Sequence, residues 1–290
     1  MKKLTISIVN YNAGEYLIKC LKSLREVSKE LEFDVYALDN ASSDGSIEKA
    51  QKEFPEFNYI RNKKNLGFGK AHNIVLQKAK TPYVLVLNPD CEVPSGTLEY
   101  MYEFMEKNPN VGLSTCEIVK RDGTLDKAAH RGFPTPWQSF LYLFFKKDKH
   151  YHMTNVDMTT THEIDSAVGA FMFVRKSVLD KVGYFDEDYF LYGEDIDLCY
   201  RIKENGFKIM YVPEVKILHV KGVSSGIKEH SRNLSAADTQ TKNSSVQYFY
   251  GTMKTFYKKH YAEKYPFFIN WAAYRAIDLK RYMAKRKKSV

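Results

Sequence analysis

The chain has 290 residues, 44% of them hydrophobic, and a formal net charge of +9. That suffices for one large α/β domain with an appendage, or for two small domains. Mean hydropathy is −0.45, and no run approaches the roughly 18 apolar residues of a membrane-spanning helix. The apolar stretch after Met1-Lys-Lys3 is short, alternating and cut off at Asn10, which excludes a signal peptide.

Cys20, Cys91, Cys116 and Cys199 are scattered without a Cys-x-x-Cys pair, the usage of reduced packing thiols in a cytosolic protein. The triplets opened by Asn233 and Asn243 match the glycosylation pattern but mean little without secretion. Charge is unevenly spread. Residues 226–290 hold 14 Lys/Arg against 4 Asp/Glu, and the rest hold 30 against 31. This polarity predicts a near-neutral body, 1–225, and a basic extension, 226–290, suited to a polyanionic surface.

Leu4–Val9 reads as a first strand, ended by Asn10-Tyr11-Asn12 and a turn at Gly14. From Glu15 to Leu31, apolar residues at Leu17, Cys20, Leu21, Leu24 and Val27 have helical spacing. Phe33–Leu38 is a second strand, running into Asp39-Asn-Ala-Ser-Ser-Asp-Gly-Ser46, where Ser42 or Ser43 is the expected cap of a helix over Ser46–Phe54. Phe57–Ile60 is a third strand, and a helix runs out of Asn65–Asn73 to about Ala79. Tyr83–Leu87 is an unbroken apolar run, the pattern of a strand buried on both faces of a parallel sheet. It stops at Asn88-Pro89-Asp90, which leaves two oxygen-bearing side chains at the carboxyl edge where α/β sheets bind ligands. An acid there, two residues from a neutral donor, is a half-site for a divalent cation on a diphosphate. Strand–helix alternation with short loops predicts a parallel, doubly wound sheet. It is not a dinucleotide fold, because Gly67-Phe-Gly69 lacks the third glycine and follows the third strand.

Ser95 is the expected cap of a helix to Asn108. Val111–Thr115 and Glu117–Val119 read as strands leading to an Asp122-Gly123 turn. Phe133 to Lys149 is densely aromatic and ends in lysines, either a buried loop-helix or a membrane-interface surface. His150, His152 and His162 lack metal-ligand spacing and read as solvated. Glu163–Val174 is a strand broken at Gly169, where a ligand or a bulge comes close. Six acids fall between Asp186 and Asp197, and Gly193-Glu-Asp-Ile-Asp-Leu198 reads as a helix start, where carboxylates meet the positive end of the dipole. Lys208–Val212 and Val215–Leu218 are strands around Pro213, leading to His219 at a strand end with Gly222 and Ser224 after it. Ser231–Ser245 reads as a linker, followed by aromatic helices over Val246–Lys259 and Phe267–Ala284 and a terminal run of lysines and arginines. Aromatics beside lysines suit an anionic bilayer surface. No nucleic-acid recognition module is evident.

In order along the chain, Ile8–Asn12, Asp39–Ser46, Asn65–Asn73, Leu87–Asp90, Gly193–Leu198 and His219–Ser224 resemble the motifs of family 2 glycosyltransferases, in particular the rhamnosyltransferase-like branch. The resemblance covers residues 4 to about 225. It implies a GT-A fold: an α/β, Rossmann-like, mostly parallel doubly wound sheet, here with a C-terminal helical extension. It implies donor binding by Asn10, Tyr11, Asn12, Glu15, Asp39, Asn40, Ser42, Asn65, Gly67, Asn73, Asn88 and Asp90. Asp90 and His219 would hold a divalent metal, Mg2+ or Mn2+, and Asn-Pro-Asp replaces the usual Asp-x-Asp, as this branch often shows. Asp195, with Glu194 as the alternative, would be the base, and Gly169, Ala170 and Asp197 would lie on the acceptor side.

The resemblance further implies an inverting enzyme at the inner face of the cell membrane. It would move a sugar from a nucleoside diphosphate, dTDP-L-rhamnose favoured and a UDP-sugar open, to a glycan or lipid-linked acceptor. Two rival readings remain at this point. One is a nucleotidyltransferase, which needs a second metal carboxylate where Asn88 stands. The other is a nucleotide-sugar or glycan-binding protein with a degenerate site.

Overall fold

The run Tyr-Val-Leu-Val-Leu forms the centre of the molecule, a strand with all five residues buried. The structure, a computed structural model, describes residues 2–126, 130–145, 153, 156–220 and 239–286. The first half follows a β-α alternation: β1 (Leu4–Asn10), α1 (Glu15–Val27), β2 (Phe33–Asp39), α2 (Ser46–Glu53), β3 (Asn58–Arg61), α3 (Phe68–Leu76), β4 (Tyr83–Leu87), β5 (Cys91–Glu92) and α4 (Thr97–Lys107). Then come β6 (Val111–Val119), β7 (His130–Arg131), α5 (Pro136–Phe145), β8 (His162–Glu163), β9 (Ser166–Ala167), β10 (Phe171–Arg175), α6 (Lys176–Val182), α7 (Glu194–Glu204), β11 (Lys208–His219), α8 (Thr239–His260) and α9 (Phe267–Arg286).

The main sheet has the order β3-β2-β1-β4-β10-β6-β11-β5, with β8 also on β11. The strands β1 to β4 are mutually parallel. β10 runs antiparallel to both β4 and β6, and β11 is parallel to β6. One sheet edge therefore collects the ends of β1, β2, β4 and β11 and the start of β10. That reversal brings the lead-in Gly169-Ala170 to the edge where β4 delivers Asn88 to Asp90.

Strand alternation sends Tyr83, Leu85 and Leu87 into one core with Leu17, Leu21, Phe54 and Leu98. Val84 and Val86 enter a second core with Leu76, Leu179, Leu198 and Ile202. Helices thus cover both faces, as the two-sided apolar run requires. A third cluster, Tyr189, Ile196, Tyr200, Phe256, Tyr257 and Tyr261, joins α7 to the C-terminal helices.

Several expectations change. α1 stops at Val27 rather than Leu31. The strands expected on either side of Cys116 are one strand, β6, and those around Pro213 are one strand, β11. The register of β11 against β6 shifts between Val212 and Lys216, where a bulge absorbs the proline that cannot donate to the ladder. Neither Ser42 nor Ser43 caps α2. Gly45 stands at that position, and Asp44 accepts the Ser46 N–H at 3.0 Å instead. Ser95 does not cap α4, because its hydroxyl is turned to Glu30. His162 is half-buried, against the Tyr211 ring. Residues from Thr239 on are helix rather than linker, continuing the packed turns of α8 outward. His150, His152, Gly222, Ser224, the boundary at 225/226 and the terminal basic run beyond Arg286 lie outside the described residues. All four cysteines are buried and free.

Candidate active site

The ends of β1 and β2 are tied together by neutral groups. The amide nitrogen of Asn10 lies 2.9 Å from Asp39 Oδ1, 3.1 Å from Ser42 Oγ and 2.9 Å from Ser46 Oγ. Ser42 N–H donates to Asp39 Oδ2 at 3.1 Å, and Asn12 N–H to Ser42 Oγ at 3.0 Å. Gly14 N–H donates to Asp44 Oδ2 at 2.8 Å, a partner the sequence reading did not single out. Asn12 (φ 51°) and Ala41 (φ 63°) are left-handed, strain of order 1–3 kcal/mol each that gathers at functional edges. Asn40 donates to the Gly67 carbonyl at 2.9 Å, and Asn65 Oδ1 accepts the Gly67 N–H at 2.9 Å. A Cβ on Gly67 would fall 2.2 Å from the Phe190 carbonyl oxygen, so only glycine permits this approach. Asn73 sits beneath the rim, with both ends of its amide on the Phe185 backbone. Tyr11 is half-buried. Glu15 is on the outer surface, 2.6 Å from Lys49.

A second corner forms where β4 ends. Asn88 N–H donates to the Ala170 carbonyl at 3.1 Å, and Val220 N–H to the Asp90 carbonyl at 3.0 Å. Pairing of Cys91 with His219 across β5 and β11 then sets His219 Nε2 3.3 Å from Asp90 Oδ1 and 3.4 Å from the Asn88 amide. His219 Nδ1 is buried with no partner in the structure. Asp90, Cys91 and His219 offer ligand atoms within 4.8 Å of one another. Burial, and then the charge of Asp90, pushes the Cys91 thiol well above its ordinary range. The neutral thiol donates to Ala170 at 3.5 Å. The imidazole Nε2 and the carboxylate beside it fit a divalent cation, with the thiol a spectator.

The third part is the first turn of α7. Tyr192 (φ 70°) and Gly193 (φ 87°) turn the chain sharply into it. Glu194, Asp195 and Asp197 are all buried, and they diverge. Asp195 Oδ2 accepts from Arg131 at 3.0 Å and from Gly169 N–H at 3.3 Å, while Oδ1 accepts the Ile196 N–H at 2.9 Å. Glu194 Oε2 has no partner. Burial, followed by the charge of Asp195, raises the Glu194 carboxyl well above its usual range. Asp197 meets Arg201 at 2.8 Å and His260 at 2.7 Å. Burial pushes its carboxyl up, but the His260 bond and the Arg201 charge outweigh that and hold it low. Asp197 therefore fastens α8 to α7. The partners in these pairs, Arg131 and His260, were missed by sequence reasoning.

The second and third parts converge on one dipeptide. Gly169 binds Asp195 through its N–H, and Ala170 binds Asn88 through its carbonyl. A Cβ on Gly169 would lie 2.8 Å from the Phe68 ring, so a glycine stands there.

Residues 5–183 match the model of glycosyl transferase family 2, more than half of the chain. The chain belongs to that family. This family 2 glycosyltransferase is 27% identical over 256 residues to an N-acetylglucosaminyl-diphospho-decaprenol L-rhamnosyltransferase of Mycobacterium tuberculosis, covering 82% of each chain. It is 26% identical to the rhamnosyltransferase WbbL of Escherichia coli, over 74% of this chain and 82% of that one. Among solved structures, it resembles GalNAc-T7 with UDP, GalNAc and Mn2+ (TM-score 0.58, 16% identity, 90% of this chain). It also resembles Staphylococcus aureus TarS with UDP-GlcNAc (TM-score 0.57, 20% identity, 87% of this chain). The chain spans 58% and 65% of those two structures, and at these identities the likeness is one of fold, GT-A. Among the described residues, no helix is long and apolar enough to cross a membrane.

Proposed function

We propose that this glycosyltransferase moves a hexose, L-rhamnose from a dTDP donor, to a hydroxyl of a lipid-linked or cell-envelope glycan, with inversion. A UDP-sugar is the alternative donor. The nucleoside lies on the rim of Asn10, Asn12, Asp39 and Ser42, and the diphosphate reaches the corner of Asn88, Asp90 and His219. A divalent cation held by Asp90 and His219 supplies neutralisation of the charge on the departing diphosphate. The mixed oxygen and imidazole pair suits Mn2+ better than Mg2+, which prefers oxygen alone. Asp195 takes the acceptor proton as the acceptor oxygen bonds to the anomeric carbon and the bond to the diphosphate breaks. Gly169 and Ala170 line the acceptor side, and the Glu194 carboxyl, raised by burial and by Asp195, lies beside the base.

One observation carries this reading: the cation corner and the Asp195 carboxylate bind neighbouring peptide groups of Gly169-Ala170. The test is incubation with nucleotide sugars and metals, with and without acceptor, following free diphosphate and the anomeric configuration of the product. Asp195→Asn keeps donor binding and loses transfer, on the order of 10²–10⁴-fold. Near-normal turnover of that variant removes Asp195 as the base. Donor binding without release from any sugar nucleotide makes the protein a binding module.

The acceptor's lipid motivates a second element of the proposal, docking at an anionic membrane on the cytoplasmic side. α5 exposes Trp137 (66%), Phe140, Phe144 and Phe145, and α9 exposes Phe267 (83%), Phe268 and Trp271. Lys280 Nζ lies 4.7 Å over the Phe144 ring and joins the two helices. Aromatics with a cationic fringe of Arg275, Lys280 and Arg281 favour the headgroup zone, at about 1 kcal/mol per basic residue. The protein should float with phosphatidylglycerol vesicles and not with phosphatidylcholine ones. Equal flotation with both would remove the charge argument.

A further inference from the structure

Arg131 belongs to none of the motifs that carry the family resemblance, yet it touches the catalytic turn. It lies on β7, opposite Ser166 of β9. The segment is anchored two residues on, where Phe133 N–H donates to Asp165 at 3.2 Å and the Phe133 ring packs 4.9 Å from Tyr200 of α7. Its guanidinium reaches Asp195 Oδ2 at 3.0 Å with both side chains largely buried, 17% and 9% exposed.

A carboxylate has about four lone-pair sites. In Asp195, Arg131 and Gly169 N–H occupy those of Oδ2, and Ile196 N–H occupies one on Oδ1. One site on Oδ1 is left. We propose that Arg131 is the positioning residue for proton transfer: it pins Oδ2 and turns the open lone pair of Oδ1 to the acceptor hydroxyl. The proton moves from that hydroxyl to Oδ1 as the oxygen bonds to the anomeric carbon and the diphosphate departs with its bonding pair. Arg131 stays cationic throughout. Before the reaction it offsets the repulsion between Asp195 and the neighbouring carboxyls of Glu194 and Asp197. The effect of the guanidinium on Glu194 is in that direction, opposing the rise that burial and Asp195 impose. Lysine is a poor substitute, since an ammonium is a point charge without the planar fork.

The proposal rests on Asp195 being the base, and the test separates the two. Arg131→Met, Arg131→Lys and Arg131→Ala are assayed in the full chain for kcat, donor affinity by calorimetry with Mn2+, and pH profile. The expectation for Arg131→Met is a kcat loss on the order of 10²-fold with donor affinity within about two-fold. Arg131→Lys falls between Arg131→Met and wild type, and methylguanidinium restores part of the activity of Arg131→Ala. The acidic limb of the rate profile moves to higher pH in Arg131→Met, because the charge of the base then lies beside Glu194 and Cys199 without its cation. Turnover of Arg131→Met or Arg131→Lys at the wild-type level overturns the proposal. So does a loss in Arg131→Ala that methylguanidinium leaves untouched while thermal stability falls with it. An active Asp195→Asn would instead defeat the reading of the base, whereas an inert Asp195→Asn beside an active Arg131→Met defeats only the role of Arg131.

Discussion

The acids of the donor rim and the acids of α7 are held by different chemistry. Asp39 binds the Asn10 amide from 29 residues away and the Ser42 N–H of its own loop, and Asp44 binds the Gly14 N–H from 30 residues away. Asp195 and Asp197 bind basic side chains brought from afar, Arg131 at a separation of 64 residues and His260 at 63. Glu194 has one oxygen with no partner among the described residues. Neutral donors hold the acids of the rim in a preset arrangement. Buried charges make a turn whose carboxylates depend on one another and on the docking of α8, since an unpaired charge in the interior is expensive.

The strongest way to sharpen the contrast is at the corner that lies between the two regions. Asp90→Ala should lower kcat/KM on the order of 10²–10³-fold, because it removes the carboxylate that answers the diphosphate charge. Calorimetry with and without Mn2+ checks it: donor binding should lose its metal dependence, and unchanged metal dependence would move the cation elsewhere.

The next effect is on stability. His260→Ala leaves the Asp197 carboxylate to Arg201 and should cost about 2 kcal/mol, less than the loss of a sole partner. Urea unfolding measures it. The folded Asp197 carboxyl is held below its ordinary value, so its contribution is present above about pH 4 and is lost as pH falls through the folded value. The gap between variant and wild type should therefore close in acid. A gap constant with pH would show that His260 acts by packing alone.

The smallest effect has the opposite sign. The Glu194 carboxyl is raised, first by burial and then by Asp195, so wild type loses stability as pH climbs from about 4 toward the folded value. Glu194→Gln removes that loss. It should melt about 2–4 °C higher at pH 7, for roughly 1 kcal/mol, and no higher at pH 4. Equal melting at both values would break the picture of a strained α7 turn.

Much of the fold was legible because its signals are local. The apolar run at Tyr83–Leu87 and the break at Asn88-Pro89 mark the central strand and its ligand edge within a few residues, and α7 opens at the expected glycine, Gly193. The expected caps at Ser42, Ser43 and Ser95 failed because each hydroxyl or its neighbour found a partner from another element. The two divided strands failed because bulges hide in strand continuity. The exposed aromatic face of α5 and the burial of Tyr257 in α8 and Tyr261 just after it could not be told apart by composition, since both stretches are aromatic and basic.

By itself the sequence determined the alternation that builds a mostly parallel sheet and the acids that its edge displays, since turn chemistry and strand periodicity act over a few residues. Only the tertiary structure decided which charges those acids meet. Arg131 and His260 sit in segments with no distinguishing pattern, and their partners are chosen by packing of β7 on β9 and of α8 on α7. The reversal of β10 was equally unreadable, yet it is what sets Gly169-Ala170 between Asp195 and the Asn88–Asp90 corner.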